Sequence, residues 1–142
     1  MLHLGARPHK IDLSDVEKIK KKFPLVKITR SISVINEQSI IDAKECVQFA
    51  DLLLLHTYND ADSEFGGTEK THNWEISRQI VQSVQIPVIL AGGLGPDNVV
   101  EAIQRVAPFG VDSKSKTDNV GSNVKDLTKV AEFVKNVRNI SF

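Results

Sequence analysis

The sequence holds one cysteine, one methionine, one tryptophan and one tyrosine in 142 residues, with no surplus of either charge. A lone cysteine, Cys46, excludes an intrachain disulfide framework and fits a reducing, cytoplasmic setting. Lys and Arg number 18 and so do Asp and Glu. That balance argues against a general nucleic-acid binder, whose affinity rests on excess positive charge. No apolar run approaches the roughly 18 residues of a membrane span. The start, Met1-Leu2-His3-Leu4-Gly5, lacks the long apolar core of a secretory signal. In such a compartment the sequon Asn139-Ile140-Ser141 reads as chance. What remains is ordinary globular composition, 41% hydrophobic and 25% charged, at a length that suits one domain over residues 1–142.

Strand and helix signals alternate along the chain. Leu2–Leu4 reads as a short strand. Ser14 can cap a helix to about Lys22, with Val16, Ile19 and Phe23 inward, the Lys20–Lys22 run solvated and Pro24 ending it. A strand is expected over Leu25–Ile32, then a helix over Glu37–Ala50 with Ile40, Ile41, Ala43, Val47 and Ala50 on one side. Leu52–Leu55 is wholly apolar, as in a parallel strand covered on both faces. Trp74, Ser77, Ile80, Val81 and Val84 fall at helical spacing, and Pro87 opens a strand over Val88–Ala91. Asp97–Ala107 reads as a helix with Val99, Val100, Ile103 and Val106 inward, followed by a short strand over Phe109–Asp112. Ser113–Asn123 is polar and loop-like, and Asp126 can cap a last helix carrying Val130, Val134 and Val137. No low-complexity segment or linker interrupts this order. It predicts an α/β fold of about five parallel strands with right-handed crossover helices.

Two glycine pairs stand just beyond strand ends. Gly66-Gly67 lies in FGGTEKTHNW, and Gly92-Gly93 ends the strand in PVILAGGLGPDNV, where a helix follows near Asp97. Glycine lets backbone amides approach a ligand with no Cβ in the way, and a helix N-terminus adds the positive end of its dipole. In parallel α/β folds ligands bind at the carboxyl ends of strands, where both pairs fall. The pattern points to a phosphate-binding face.

The motifs LLLLHT, FGGTEKTHNW, PVILAGGLGPDNVVEAI and APFGVDSKS, with VKD before a last helix, resemble in their order the phosphoribosylanthranilate isomerase family. The family pattern reads approximately LLLDS, GGTGKTFDW, PVILAGGLNPENV, RPYGVDVSSGVE and GVKD. The resemblance covers about two thirds of the chain, from roughly Ala50 onward. It implies a partial (β/α)8, TIM-barrel-like fold in which this chain supplies the last five strand–helix units. It also implies the Amadori rearrangement of N-(5-phosphoribosyl)anthranilate in tryptophan biosynthesis, with no metal and no cofactor. That reaction needs a proton delivered to the ribose ring oxygen and one removed from carbon. The family uses a cysteine after the first strand as base and an aspartate after the sixth as acid.

His56 stands at the sixth-strand position and is the candidate catalytic acid, since an imidazolium can protonate an oxygen near neutral pH. Cys46 sits on a different element from the family's base and reads as structural, as do Asp51 and Trp74. The resemblance assigns Gly92 and Gly93 to the phosphate loop after the seventh strand, and Asp112 to substrate contact after the eighth. Gly66, Gly67 and Lys70 match the loop after the sixth strand, although Glu69 replaces its third glycine and His72-Asn73 replace Phe-Asp. Ser113 and Ser115 stand in the family's Ser-Ser-Gly segment, with Lys114 and Lys116 adding charge where its glycine is lost. Two other readings compete: a phosphosugar-binding relative without turnover, and a structural protein whose glycine pairs are turns. Five parallel strands cannot close a barrel, so the expected partners are a phosphorylated sugar and either a second copy of the chain or one supplying the remaining units.

Overall fold

The computed structural model describes residues 1–5, 13–57 and 71–140. Five strands form one sheet: β1 (Leu2–Leu4), β2 (Ile28–Val34), β3 (Leu52–Thr57), β4 (Val88–Leu90) and β5 (Gly110–Val111). Every neighbouring pair is parallel and the spatial order is the chain order, β1-β2-β3-β4-β5. A doubly wound sheet reverses its order at a switch point, whereas an arc of a barrel does not. Unreversed order with right-handed crossovers places all connecting helices on one face. These helices are α1 (Leu13–Lys22), α2 (Gln38–Cys46), α3 (Trp74–Ser83) and α4 (Val99–Val106), with α5 (Leu127–Arg138) after the last strand. From α2 to α5 each helix packs against the next.

The strand alternation divides the sheet residues cleanly. Ile32, Val34, Leu53, Leu55, Val88 and Leu90 are buried with Ala43, Ile80, Val99 and Ala102 of the helices, forming the main core. Leu4, Val16 and Ile28 make a smaller cluster beneath α1. Burying such side chains contributes roughly 1.5–3 kcal/mol each relative to exposure. The opposite face of the sheet carries Ser31, Leu54, His56 and Ala91, which line a cleft. Fully buried Arg30 points to the helix side, beside Cys46. Burial pushes the Cys46 thiol pKa up and the Arg30 guanidinium pulls it back, so the net shift is upward and the thiol stays protonated and unreactive.

Several elements differ from expectation for local reasons. The second strand begins at Ile28 rather than Leu25, because Phe23–Val26 closes a turn after α1 through a Val26 N–H to Phe23 carbonyl bond. Leu25 is therefore 95% exposed, and Phe23 points outward beneath the Lys22 ammonium, 5.6 Å from its ring centre. Helix α2 stops at Cys46, and its buried stripe is Ser39, Ala43 and Cys46, leaving Ile41 outside. Ser39 is tolerated there because its hydroxyl accepts from the Ile35 N–H and donates to the Ser33 carbonyl. On α5 the buried side chain is Phe133, while Val134 is partly exposed. Asp126 caps that helix as expected, accepting from the N–H groups of Thr128 and Lys129.

Asp51 ties the start of β3 to β2 and α1. Its carboxylate accepts the Ile28 N–H at 2.9 Å and meets Lys20 at 3.0 Å and Lys27 at 3.1 Å. Burial pushes its pKa up, but the Ile28 N–H and the two ammonium groups outweigh that and hold it at about 2. Since the unfolded value is near 3.9, the stabilisation is present above about pH 4 and lost as pH falls toward 2. Urea unfolding of Asp51→Asn should show a loss of about 1–2 kcal/mol at neutral pH and a flatter acid limb. An acid limb identical to that of the parent would refute this role.

Candidate functional site

A cleft of about 380 Å³ opens at the carboxyl ends of the strands. It is lined by His56, Gly92, Gly93, Asp112, Ser113 and Ser115, six of the residues singled out by sequence. Gly66, Gly67 and Lys70 lie outside the described residues. The cleft also takes in His3, Ser31, Lys114 and Lys125. Of these, sequence reading named only Lys114 as a source of charge. The period-two pattern of a strand could have placed His3 and Ser31 on one face, given the β1–β2 register.

The loop after β4 turns on Gly92, at φ +88°, and Gly93, at φ +64°. A Cβ on Gly92 would lie 2.7 Å from the Thr57 backbone nitrogen, so no side chain fits between this loop and the end of β3. Asn98 precedes α4 without capping it, and its side chain stitches the loop instead. Its amide nitrogen donates to the Gly93 carbonyl and its oxygen accepts the Gly95 N–H, both at 2.9 Å. The Ser113 hydroxyl donates to the Leu94 carbonyl at 2.6 Å, joining the loops after β4 and β5. Beyond it, Ser115–Thr117 forms a short 3₁₀ turn. The Lys125 ammonium donates to the Lys114 carbonyl at 2.6 Å and pairs with buried Asp118, bracing this wall.

His56 projects from β3 into the cleft. Its Nδ1 lies 3.0 Å from the Thr57 carbonyl and its Nε2 lies 3.1 Å from the Ser33 hydroxyl. A carbonyl only accepts, so Nδ1 carries the proton and the neutral ring presents a lone pair at Nε2. Burial lowers the His56 pKa, the Thr57 carbonyl raises it, and His3 lowers it further; the net shift is downward. His72 sits behind Thr57, its Nε2 at 2.7 Å from the Ser77 hydroxyl and its Nδ1 at 3.3 Å from that of Thr57. Burial, with a smaller contribution from His56, lowers its pKa to about 4. Thr57 thus meets His56, His72 and Gly92 at once.

Two outcomes follow from this geometry. Gly92→Ala should lower stability by about 2 kcal/mol or more, combining the left-handed backbone with the clash at Thr57. Gly121→Ala, at φ +71° with open space around it, should cost only about 1 kcal/mol. Equal losses in urea unfolding would show that the approach to Thr57 is unimportant. His72 must be neutral when folded but protonates near pH 6.5 when unfolded, so stability falls as pH drops from about 6.5 toward 4. His72→Phe should reduce that slope, as read from urea midpoints at pH 7 and pH 4.5.

Residues 9–136 match the family model described as PRAI, N-(5'-phosphoribosyl)anthranilate isomerase. The chain is 41% identical over 124 residues to N-(5'-phosphoribosyl)anthranilate isomerase 2 of Methanosarcina mazei, covering 87% of this chain and 54% of that one. It is 42% identical over 120 residues to the enzyme of Methanocella arvoryzae, covering 84% and 54% respectively. Among solved structures, the isomerase of Pyrococcus furiosus superposes with a TM-score of 0.67 at 29% identity, over 97% of this chain and 60% of that one. The Thermotoga maritima isomerase superposes with a TM-score of 0.73 over 97% of this chain and 72% of that one; at 24% identity it speaks for the fold. The five-stranded sheet is accordingly a partial (β/α)8 fold, and the chain spans about half the length of the curated relatives it matches. The chain belongs to the N-(5'-phosphoribosyl)anthranilate isomerase family.

Proposed function

We propose that this chain forms, over residues 1–142, one domain equivalent to the last five strand–helix units of phosphoribosylanthranilate isomerase, and that its cleft takes a phosphorylated sugar. The observation that carries this reading is the meeting of two loops on one wall. The Gly92–Gly93 turn and the Ser113–Ser115 segment are joined by the Ser113 hydroxyl to Leu94 carbonyl bond. Small residues leave backbone N–H groups approachable there, Lys114 adds a cation, and α4 starts just beyond the turn. Asp112 is suited to a sugar hydroxyl, and Gly66, Gly67 and Lys70 keep the role the resemblance gives them. His56 faces the sugar end.

The reaction is the Amadori rearrangement, in which a proton reaches the ring oxygen and another leaves carbon. The lone pair on His56 Nε2 suits removal of the proton better than its delivery. Binding without turnover is the second reading, favoured by the Ser33 hydroxyl already held at Nε2. We further propose that the chain works in the cytoplasm and self-associates. Its sheet ends in two edges, β1 and β5, that a closed barrel would pair. No described helix is long and apolar enough to cross a membrane.

One solved relative is a complex with reduced 1-(o-carboxyphenylamino)-1-deoxyribulose 5-phosphate, which provides a probe. Saturating probe should raise the Tm of the purified chain by about 5–10 °C, and isomerase turnover should be measurable. A raised Tm without turnover selects the binding reading, and no shift with either probe or inorganic phosphate defeats both. Light scattering during size exclusion should show an oligomer; a stable soluble monomer would refute self-association.

A further inference from the structure

We propose that His3 and His56 are the acid–base pair of this cleft, His3 giving a proton and His56 taking one; the inference rests on the isomerase reading. The two rings come from strands on either side of β2. His3 lies on β1 and its Nε2 is 2.8 Å from the Ser31 hydroxyl. His56 lies on β3 and its Nε2 is 3.1 Å from the Ser33 hydroxyl. Ser31 and Ser33 are alternate residues of β2 and share a face, so their hydroxyls, each holding one imidazole, stand roughly 7 Å apart along the strand. Both rings line the same cleft.

That spacing suits one sugar. Groups within hydrogen-bond reach of two atoms of a single five-membered ring stand roughly 5–8 Å apart. With the phosphate against the Gly92 and Ser113 loops, the furanose extends from β4 toward β3 and β1, where the two histidines stand. The division of labour follows from their surroundings. His56 is half-buried with its proton fixed on Nδ1 by the Thr57 carbonyl, leaving a lone pair at Nε2, and burial favours that neutral form. His3 is exposed, in contact with solvent as well as with the cleft. Among the described residues, the other charged groups lining the cleft, Asp112, Lys114 and Lys125, come from beyond β5, with Lys125 bound to Asp118; His72 lies across Thr57.

The steps balance. As the C1–O bond of the ring breaks, its electron pair goes to the ring oxygen, which takes the proton from His3. The nitrogen lone pair of the anthranilate group forms the C1=N bond. Nε2 of His56 then takes the proton on C2; the C–H pair becomes the C1=C2 bond, and the C=N pair returns to nitrogen. The enolamine reaches the ketone when C1 gains a proton and the C2 hydroxyl loses one. Exchange with solvent returns a proton to His3 and removes one from His56.

The test pairs turnover with the imidazole NMR signals of the intact chain. His3→Asn should lower kcat at least 100-fold, leave KM within about threefold, and remove the alkaline limb of the pH–rate profile, as loss of an acid requires. His56→Asn should remove the acidic limb. The reduced product analogue should shift the ring signals of both His3 and His56, and inorganic phosphate should shift neither. Turnover by His3→Asn within threefold of the parent, or an analogue that moves the His56 signal and leaves His3 still, overturns the pairing while the isomerase reading stands. A parent that binds the analogue without turning over overturns the pairing and leaves the binding reading. A parent that neither binds nor turns over ends the isomerase reading, and the pairing falls with it.

Discussion

The site depends on the contact between Thr57 and Gly92. Thr57 ends β3, and the glycine turn after β4 lies so close to it that a Cβ would sit 2.7 Å from its backbone nitrogen. The Thr57 carbonyl fixes the proton of His56, while its hydroxyl meets His72. One residue thereby sets the height of the glycine turn relative to the His56 imidazole. A second hydroxyl, from Ser113, extends that arrangement to the loop after β5. Remove the close approach and the two halves of the cleft lose their common reference.

The sheet explains why these groups converge. Parallel strands in unbroken order deliver every carboxyl end to one edge, and the helices cover only the opposite face. Helix-side residues form the core, and the alternate residues become the cleft wall. On that face β2 carries Thr29, Ser31 and Ser33, of which Ser31 lines the cleft. The Ser31 and Ser33 hydroxyls give His3 and His56 a hydrogen-bond partner each.

Local signals in the sequence were enough for much of this. The Asp126 cap, the Leu52–Leu55 strand, Pro87 before β4 and the order of glycine motifs all rest on neighbours within a few residues. His3 and Ser31 escaped notice because their shared face depends on β1–β2 register, a pairing across 28 positions. Arg30 was equally illegible: a guanidinium in a strand reads as solvated, yet it lies fully buried beside Cys46. Phe23, Leu25 and Ile41 look like core residues by hydrophobicity alone. The turn at Pro24 and the Ser39 hydroxyl bonds send them outward.

The central claim is that this wall binds the phosphate of a sugar whose ring lies against His56. A crystal structure of the chain with the reduced product analogue tests it most directly. The account predicts phosphate oxygens within hydrogen-bond distance of backbone N–H groups in both the Gly92–Gly93 turn and the Ser113–Ser115 segment, with the ribulose chain beside His56. An analogue whose phosphate lies away from both loops would contradict it.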